Sequence, residues 1–274
     1  MFPEPAHSFS PASLEKDLNT ELVGRTVLVY DEVDSTNDSL KPIARDIQYQ
    51  GLTVFARYQR KGRGRENRAW TASPGSSVLC SSLVFLPGRL ADLAGPVSLA
   101  GAVATARAIE TVFGLSVRIK WPNDVLWSGK KLAGMLVEST PVQPDLAGFI
   151  IGIGINVAQG PGDFPPKLRS TAGSIALGLG RKVSEPEFLH LARVLLMQLD
   201  AELRRVRDGN VEGLRHDWLD LAGGPDRAVI VNRQNQTFHA RILDIDPKDN
   251  SLLAQDPEGM ILHLYQNSSK IIGG

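Results

Sequence analysis

Phe149-Ile150-Ile151-Gly152-Ile153-Gly154-Ile155-Asn156-Val157 is short and nearly continuously apolar, the pattern of a strand buried on both faces rather than of a helix. Such a strand belongs inside a sheet. Gly152 and Gly154 then need a reason, because glycine weakens a strand unless something approaches the bare backbone. Two glycines on one face clear room for a flat ligand, and Asn156 just beyond them offers a donor and an acceptor. Close packing against a helix is the alternative.

Outward from this strand, Val117-Arg118-Ile119-Lys120, Val125-Leu126-Trp127, the turn Ser128-Gly129 and Gly134-Met135-Leu136-Val137-Glu138 suit neighbouring strands. Thr26-Val27-Leu28-Val29-Tyr30 and Leu52-Thr53-Val54-Phe55-Ala56 read as two more. Between them, Gly95-Pro96 puts proline at a first helical position, and Val97, Ala100, Val103, Ala104 and Val112 supply an apolar face up to Gly114. Ser184-Glu185-Pro186-Glu187 is a capping box, followed at helical spacing by Leu189, Ala192, Leu195, Leu196, Leu199, Leu203 and Val206. Beyond Gly223-Gly224-Pro225, short β-rich runs at Ala228, Thr237, Ser251 and Met260 alternate with turns at Asp246-Pro247, Asp249-Asn250 and Glu258-Gly259, as a small antiparallel barrel requires. A domain boundary is placed near Gly223. The first two dozen residues carry Pro3, Pro5 and Pro11 and one helical turn around Leu14 to Leu18.

Thirty basic residues balance thirty acidic ones in 274, so any anion site must be local rather than chain-wide. The single Cys80 cannot form an internal disulfide, and no charged-then-apolar leader opens the chain, which points to a reducing cytoplasm. No apolar run reaches the ~18–20 residues of a membrane span. The five histidines show no ligand spacing, so no zinc site is expected. Neither a nucleophile elbow nor a Walker loop occurs, which disfavours a serine hydrolase and a P-loop enzyme.

The densest positive cluster runs from Arg57 to Trp70 and carries six cations in fourteen residues. Gly62 and Gly64 permit close backbone approach, while Arg63 and Arg65 offer planar forks suited to phosphate or carboxylate. Taken alone, a solvated basic loop or an RNA-binding segment has the same composition. Lys120-Trp121-Pro122-Asn123-Asp124 ends a predicted strand, where proline fixes a turn from which Lys120, Asn123 and Asp124 project together; a hairpin turn with an Asx cap is the plain alternative. Lys130-Lys131-Leu132-Ala133-Gly134 sets a lysine before a strand whose glycine lets a ligand lie on the backbone or marks a bulge. Asp34-Ser35-Thr36-Asn37 is, by itself, a helix N-cap.

Ser35-Thr36-Asn37, Gly62-Arg63-Gly64-Arg65 with Arg68 and Trp70, Lys120 to Asp124, Lys131 to Gly134 with Glu138, and Gly152 to Asn156 stand in this order over about 120 residues. Together they resemble the biotin protein ligases. The resemblance implies an α+β fold: residues 25–222 as a catalytic domain with a mixed β-sheet flanked by helices, related to class II synthetases and lipoate ligases. It also implies a small SH3-like β-barrel over 223–274, with residues 1–24 an N-terminal extension. It implies two steps. Biotin and MgATP give biotinyl-5′-AMP and pyrophosphate, and a lysine of a biotin carboxyl carrier domain then displaces AMP.

Carried over by position, Ser35, Thr36, Asn37 and Gln59 would bond the biotin ureido group. Gly62, Arg63, Gly64, Arg65, Arg68 and Trp70 would lie over biotin and the adenylate. Lys131, with Lys120 and Asn123 nearby, would meet the carboxylate and α-phosphate, Gly134, Gly152 and Gly154 would line the slot, and Asn156 would face the adenylate. Asp124, the only carboxylate of its motif, would position the acceptor amine. Mg²⁺ would bridge the phosphates, through ligands the sequence leaves unnamed.

Two departures stand out. Asn67 replaces a glycine of many relatives, and asparagine tolerates the left-handed conformation. The two dozen leading residues are too few for a DNA-binding winged helix, so no operator binding is expected. A homodimer stays open. A lipoate or other acyl-adenylate ligase on the same fold is the nearest competing activity.

Overall fold

The computed structural model describes residues 9–233, 236–265 and 268–273. Its elements are α1 (Pro11–Glu15), β1 (Thr26–Val33), α2 (Thr36–Leu40), β2 (Leu52–Gln59), β3 (Ser77–Pro87), α3 (Leu90–Phe113), β4 (Arg118–Lys120), β5 (Asp124–Trp127), β6 (Lys130–Gln143), β7 (Leu146–Asn156), α4 (Ile175–Leu179), α5 (Glu185–Arg207), α6 (Val211–Leu221), β8 (Ala228–Arg233), β9 (Gln236–Ile245), β10 (Leu252–Gln255), β11 (Ile261–Leu264) and β12 (Ser269–Gly273). Seven strands form one mixed sheet in the order β1-β2-β3-β7-β6-β5-β4, with only the β1-β2 pair parallel. The apolar run that opened the reading is its middle strand, β7. Five C-terminal strands form an antiparallel sheet in the order β11-β10-β9-β8-β12.

Side chains alternate across a strand, so the two faces of β7 differ. Ile151, Ile153 and Ile155 are buried, and α3 packs over their face: a side chain added at Gly101 would meet Met135 Sδ at 3.4 Å and Ile151 at 3.8 Å. Gly152 and Gly154 therefore point away from α3. Leu195, Leu196, Leu199 and Leu203 of α5 are buried in the same core cluster as α3. The predicted capping box starts α5, with Ser184 Oγ accepting from Glu187 N–H and the Glu187 carboxylate accepting from Ser184 N–H.

Three expectations shift. Helix α3 begins at Leu90, not at Pro96, because Leu90 and Leu93 already pack against the core a turn earlier, so proline sits in its second turn. Its end at Gly114, left-handed at φ 64°, is as expected. The N-terminal turn is Pro11–Glu15 rather than 14–18, since Ser10 and Ser13 form a reciprocal cap around Pro11; residues 1–8 of the expected extension lie outside the described residues. That segment is packed, not loose. Phe9 stacks edge-on against Phe55 and Phe188, and the buried Asp200 carboxylate accepts the N–H groups of Glu21, Leu22 and Val23. Finally, the sequence names no strand over Ser77–Pro87 and gives no expectation of α4, α6 or the fifth C-terminal strand, β12. Among the described residues no helix is long and apolar enough to cross a membrane.

Candidate active site

The site face of the sheet has a glycine floor. Register places Gly134 of β6 opposite Gly154 of β7, and Gly152 opposite Ser81 of β3. A side chain on Gly152 would overlap the Asn37 amide, and one on Gly154 would come within 2.6 Å of the Trp70 ring. The glycines thus admit one amide and one indole, and the flat group lying on Gly154 in this structure is Trp70 itself.

At the Gly152 end the polar groups form a closed network. Ser35 caps α2, which carries Thr36 and Asn37 onto the floor, all three nearly buried. Thr36 donates its N–H to Gln59 Oε1 at 2.8 Å, and Ser81 Oγ lies 2.7 Å from Thr36 Oγ1 and 2.6 Å from Asn37 Oδ1. Asn37 Nδ2 donates to Glu138 at 2.8 Å; Arg63 Nη2 donates to Glu138 at 2.6 Å and to Asp38 at 2.9 Å; Lys41 bridges Asp38 and Glu138. Desolvation alone would raise the Glu138 carboxyl, but hydrogen bonds from Asn37, Arg63 and Lys41 outweigh it and hold the group below its ordinary 4.5.

This depressed carboxyl makes stability pH-dependent. A group whose folded value lies below its unfolded one stabilises the fold fully above about 4.5, and the contribution disappears as pH falls through the folded value. Thermal melts between about pH 6 and pH 3 should therefore fall more steeply for the wild type than for Glu138→Gln. Parallel slopes would show that Glu138 carries no such coupling.

At the Gly154 end the groups are cationic. Lys131 Nζ lies 5.6 Å from the Trp70 ring centre, close against Gly134, and pairs with Asp124 at 2.5 Å. Burial lowers the Lys120 ammonium from its ordinary value; Asp124 opposes this, while Lys131, Arg227 and Arg68 add to it. Burial likewise lowers the Arg65 guanidinium, against the pull of Glu66 and Asp124. Lys131, Lys120 and Arg65 thus all feel the Asp124 carboxylate. The loop 62–70 closes over this end through Trp70 N–H to Gly62 O at 2.9 Å and Gly64 N–H to Arg68 O at 2.6 Å. Gly62 has no room for a side chain, which would meet Trp70 O at 2.5 Å. The left-handed residue of the loop is Glu66, at φ 56°, and not the expected Asn67. Glu66 also accepts from Arg68 and from Lys270 of β12.

Residues 29–156 match the Biotin/lipoate A/B protein ligase family. The bifunctional ligase/repressor BirA of Bacillus subtilis is 32% identical over 254 residues, covering 92% of this chain and 76% of that protein. This chain belongs to the biotin/lipoate A/B protein ligase family. A biotin–[acetyl-CoA-carboxylase] ligase of Mycobacterium tuberculosis is 32% identical over 205 residues, 72% of this chain and 73% of its own. The fold matches a biotin protein ligase from Aquifex aeolicus, solved with biotin and ATP, at TM-score 0.72 and 22% identity over 91% of this chain and all of that one.

Of the residues singled out from sequence, the ligase fold brings Ser35, Thr36, Asn37, Gln59, Arg63, Trp70, Lys131, Gly134, Gly152 and Gly154 onto one face. Two amides are engaged elsewhere. Asn123 Nδ2 donates to Met135 O, and Asn156 Nδ2 donates to Gly173 O at 2.9 Å, tying β7 to the segment 171–173 that pairs with Lys131. Ser81, Asp38 and Lys41 were missed. Ser81 had one signal, a hydroxyl inside an apolar run; Asp38 and Lys41 had none beyond following Asn37.

Proposed function

We infer that this protein joins biotin to ATP as biotinyl-5′-AMP and transfers the biotinyl group to a lysine of a carboxyl carrier domain. One observation carries this reading: a glycine floor covered only by the Asn37 amide and the Trp70 indole, with a charge-balanced hydrogen-bonding network at one end and clustered cations at the other. Gly152 and Gly154 are two residues apart, about 7 Å along the strand, so the slot suits an elongated molecule with a polar ring and a carboxylate tail. Arg63 Nε and Trp70 Nε1 are buried there without acceptors among the described residues. Buried unpaired donors cost about 1–3 kcal/mol each, which a ligand bearing acceptors relieves.

The biotin carboxylate oxygen attacks the α-phosphorus of ATP, and the bond to the pyrophosphate oxygen breaks. Two anions meet in that step, so Lys131, Lys120 and Arg65 act by neutralising both. Magnesium would arrive with the triphosphate and supply positive charge to the phosphates; among the described residues no group of three or more His, Cys, Asp or Glu side chains is placed to hold it, and Asp124 is paired with Lys131 at 2.5 Å. In the second step the carrier lysine nitrogen attacks the mixed anhydride carbonyl, AMP leaves, and the amine proton must go to a base. Asp124 takes the positioning role for that amine. Residues 25–222 serve as the catalytic unit and 223–274 as a second domain.

Biotin-dependent exchange of labelled pyrophosphate into ATP, with lipoate as control, tests the activity. Exchange with biotin alone is expected; exchange with lipoate alone would replace the reading by its relative. For the second step, Asp124→Asn should slow transfer from preformed biotinyl-AMP by about two orders of magnitude, the loss that about 1 Å of misplacement of a reacting group can cause. An unchanged rate would remove Asp124 from that step.

A further inference from the structure

We infer that the C-terminal sheet takes part in catalysis by holding the turn 120–124, through a hydrogen bond from the Trp121 indole to the backbone of Asn250. The inference rests on the ligase reading above, because that reading gives Lys120 and Asp124 their work.

Trp121 is buried, and its Nε1–H donates to the Asn250 carbonyl at 2.9 Å across 129 residues of sequence. Asn250 is itself buried and left-handed at φ 58°, in the hairpin joining β9 and β10. That hairpin is stiff. Asn250 N–H donates to Asp246 O, Lys248 N–H to Asp246 Oδ1, and Ser251 N–H to Asp249 Oδ1, all at 2.8 Å. It is also seated. Asn250 Nδ2 donates to Ser98 Oγ of α3 at 3.1 Å, and Gly95 lies so close beneath that any side chain there would overlap the carbonyl oxygens of Pro247 and Lys248.

The held residue stands between the two groups that matter. Lys120 precedes Trp121 directly, and three residues on Asp124 pairs with Lys131. Close packing already restricts the buried ring, and a directed N–H bond to a braced carbonyl selects one of its flipped orientations. The backbone on either side of Trp121 inherits that orientation. Misplacement of a reacting group by about 1 Å can cost a hundredfold in rate, so loss of this bond should be felt in turnover before affinity.

The experiment compares Trp121→Phe and Gly95→Ala with the wild-type full chain in biotin-dependent pyrophosphate exchange and in thermal melting. The first keeps an aromatic ring, though a smaller one, and deletes the donor; the second keeps the whole indole and its donor and pushes the hairpin away from α3, so an effect of lost volume alone would appear only in the first. Each should lower kcat about ten- to a hundredfold while the KM for biotin stays within about twofold. Wild-type kcat in a folded Trp121→Phe protein overturns the inference, as does a rise in KM with kcat held. If Trp121→Phe fails to fold, Gly95→Ala carries the same comparison. A wild-type protein without exchange would instead defeat the ligase reading, and this inference with it.

Discussion

Replacing Lys131 by alanine is expected to lower biotin-dependent pyrophosphate exchange by about two to three orders of magnitude while leaving the fold intact. Lys131 is the ammonium that lies against the glycine floor, and Asp124 holds it at 2.5 Å. An incoming carboxylate exchanges one anionic partner for another, so the lysine needs no new charge balance to receive it. Without it, the attacking carboxylate and the α-phosphate repel each other in a site partly shielded from water, where electrostatic terms are larger. The fold should tolerate the change because the side chain is 36% exposed and the structural bonds at this position are main-chain: Lys131 N–H to Thr171 O and Gly173 N–H to Lys131 O. Melting curves beside the exchange assay would check both halves. Near-normal exchange by a folded Lys131→Ala protein would place the activation step somewhere else.

Replacing Gly154 by valine is expected to weaken biotin binding about ten- to a hundredfold. A single added carbon already comes within 2.6 Å of the Trp70 ring, so valine would displace the indole and disturb the loop 62–70 that closes this end of the site. Overpacking costs about 1–3 kcal/mol, and each 1.4 kcal/mol is tenfold in affinity. Gly154→Ala should fall between the wild type and valine. The strand itself should survive, since valine suits a β-strand and Gly154 points away from α3. Titration calorimetry with biotin measures the effect. Unchanged affinity in the valine variant would mean that the ligand does not lie on this floor.

Much of the site was legible because its parts are local. A buried strand with paired glycines, a capped turn at Ser35, a glycine–arginine loop and a proline-fixed turn each leave a mark within about a dozen residues, and their order supplied the resemblance. The misses share a physical cause. Ser81 is one more small residue of an apolar run until register sets it beside Gly152. Glu66 takes the left-handed position in the loop although Asn67 has the better intrinsic tolerance, because the loop closes through Gly62, Gly64, Arg68 and Trp70 and the closure sets the backbone. Pro96 looked like a helix start, yet Leu90 and Leu93 reach the core a turn before it and begin the helix earlier.

The sequence by itself determined most of the strands, the two long helices, the family, and the chemical character of the site, because periodicity, caps and turn residues act over short spans. The tertiary structure decided which groups meet. It seated Trp70 on the glycines, gathered Asn37, Arg63 and Lys41 around Glu138, paired Lys131 with Asp124, and brought Asn250 to Trp121. Those contacts join segments far apart in the chain, so nothing in their local patterns specifies them; they follow from strand register and from how helices and hairpins pack on the sheet.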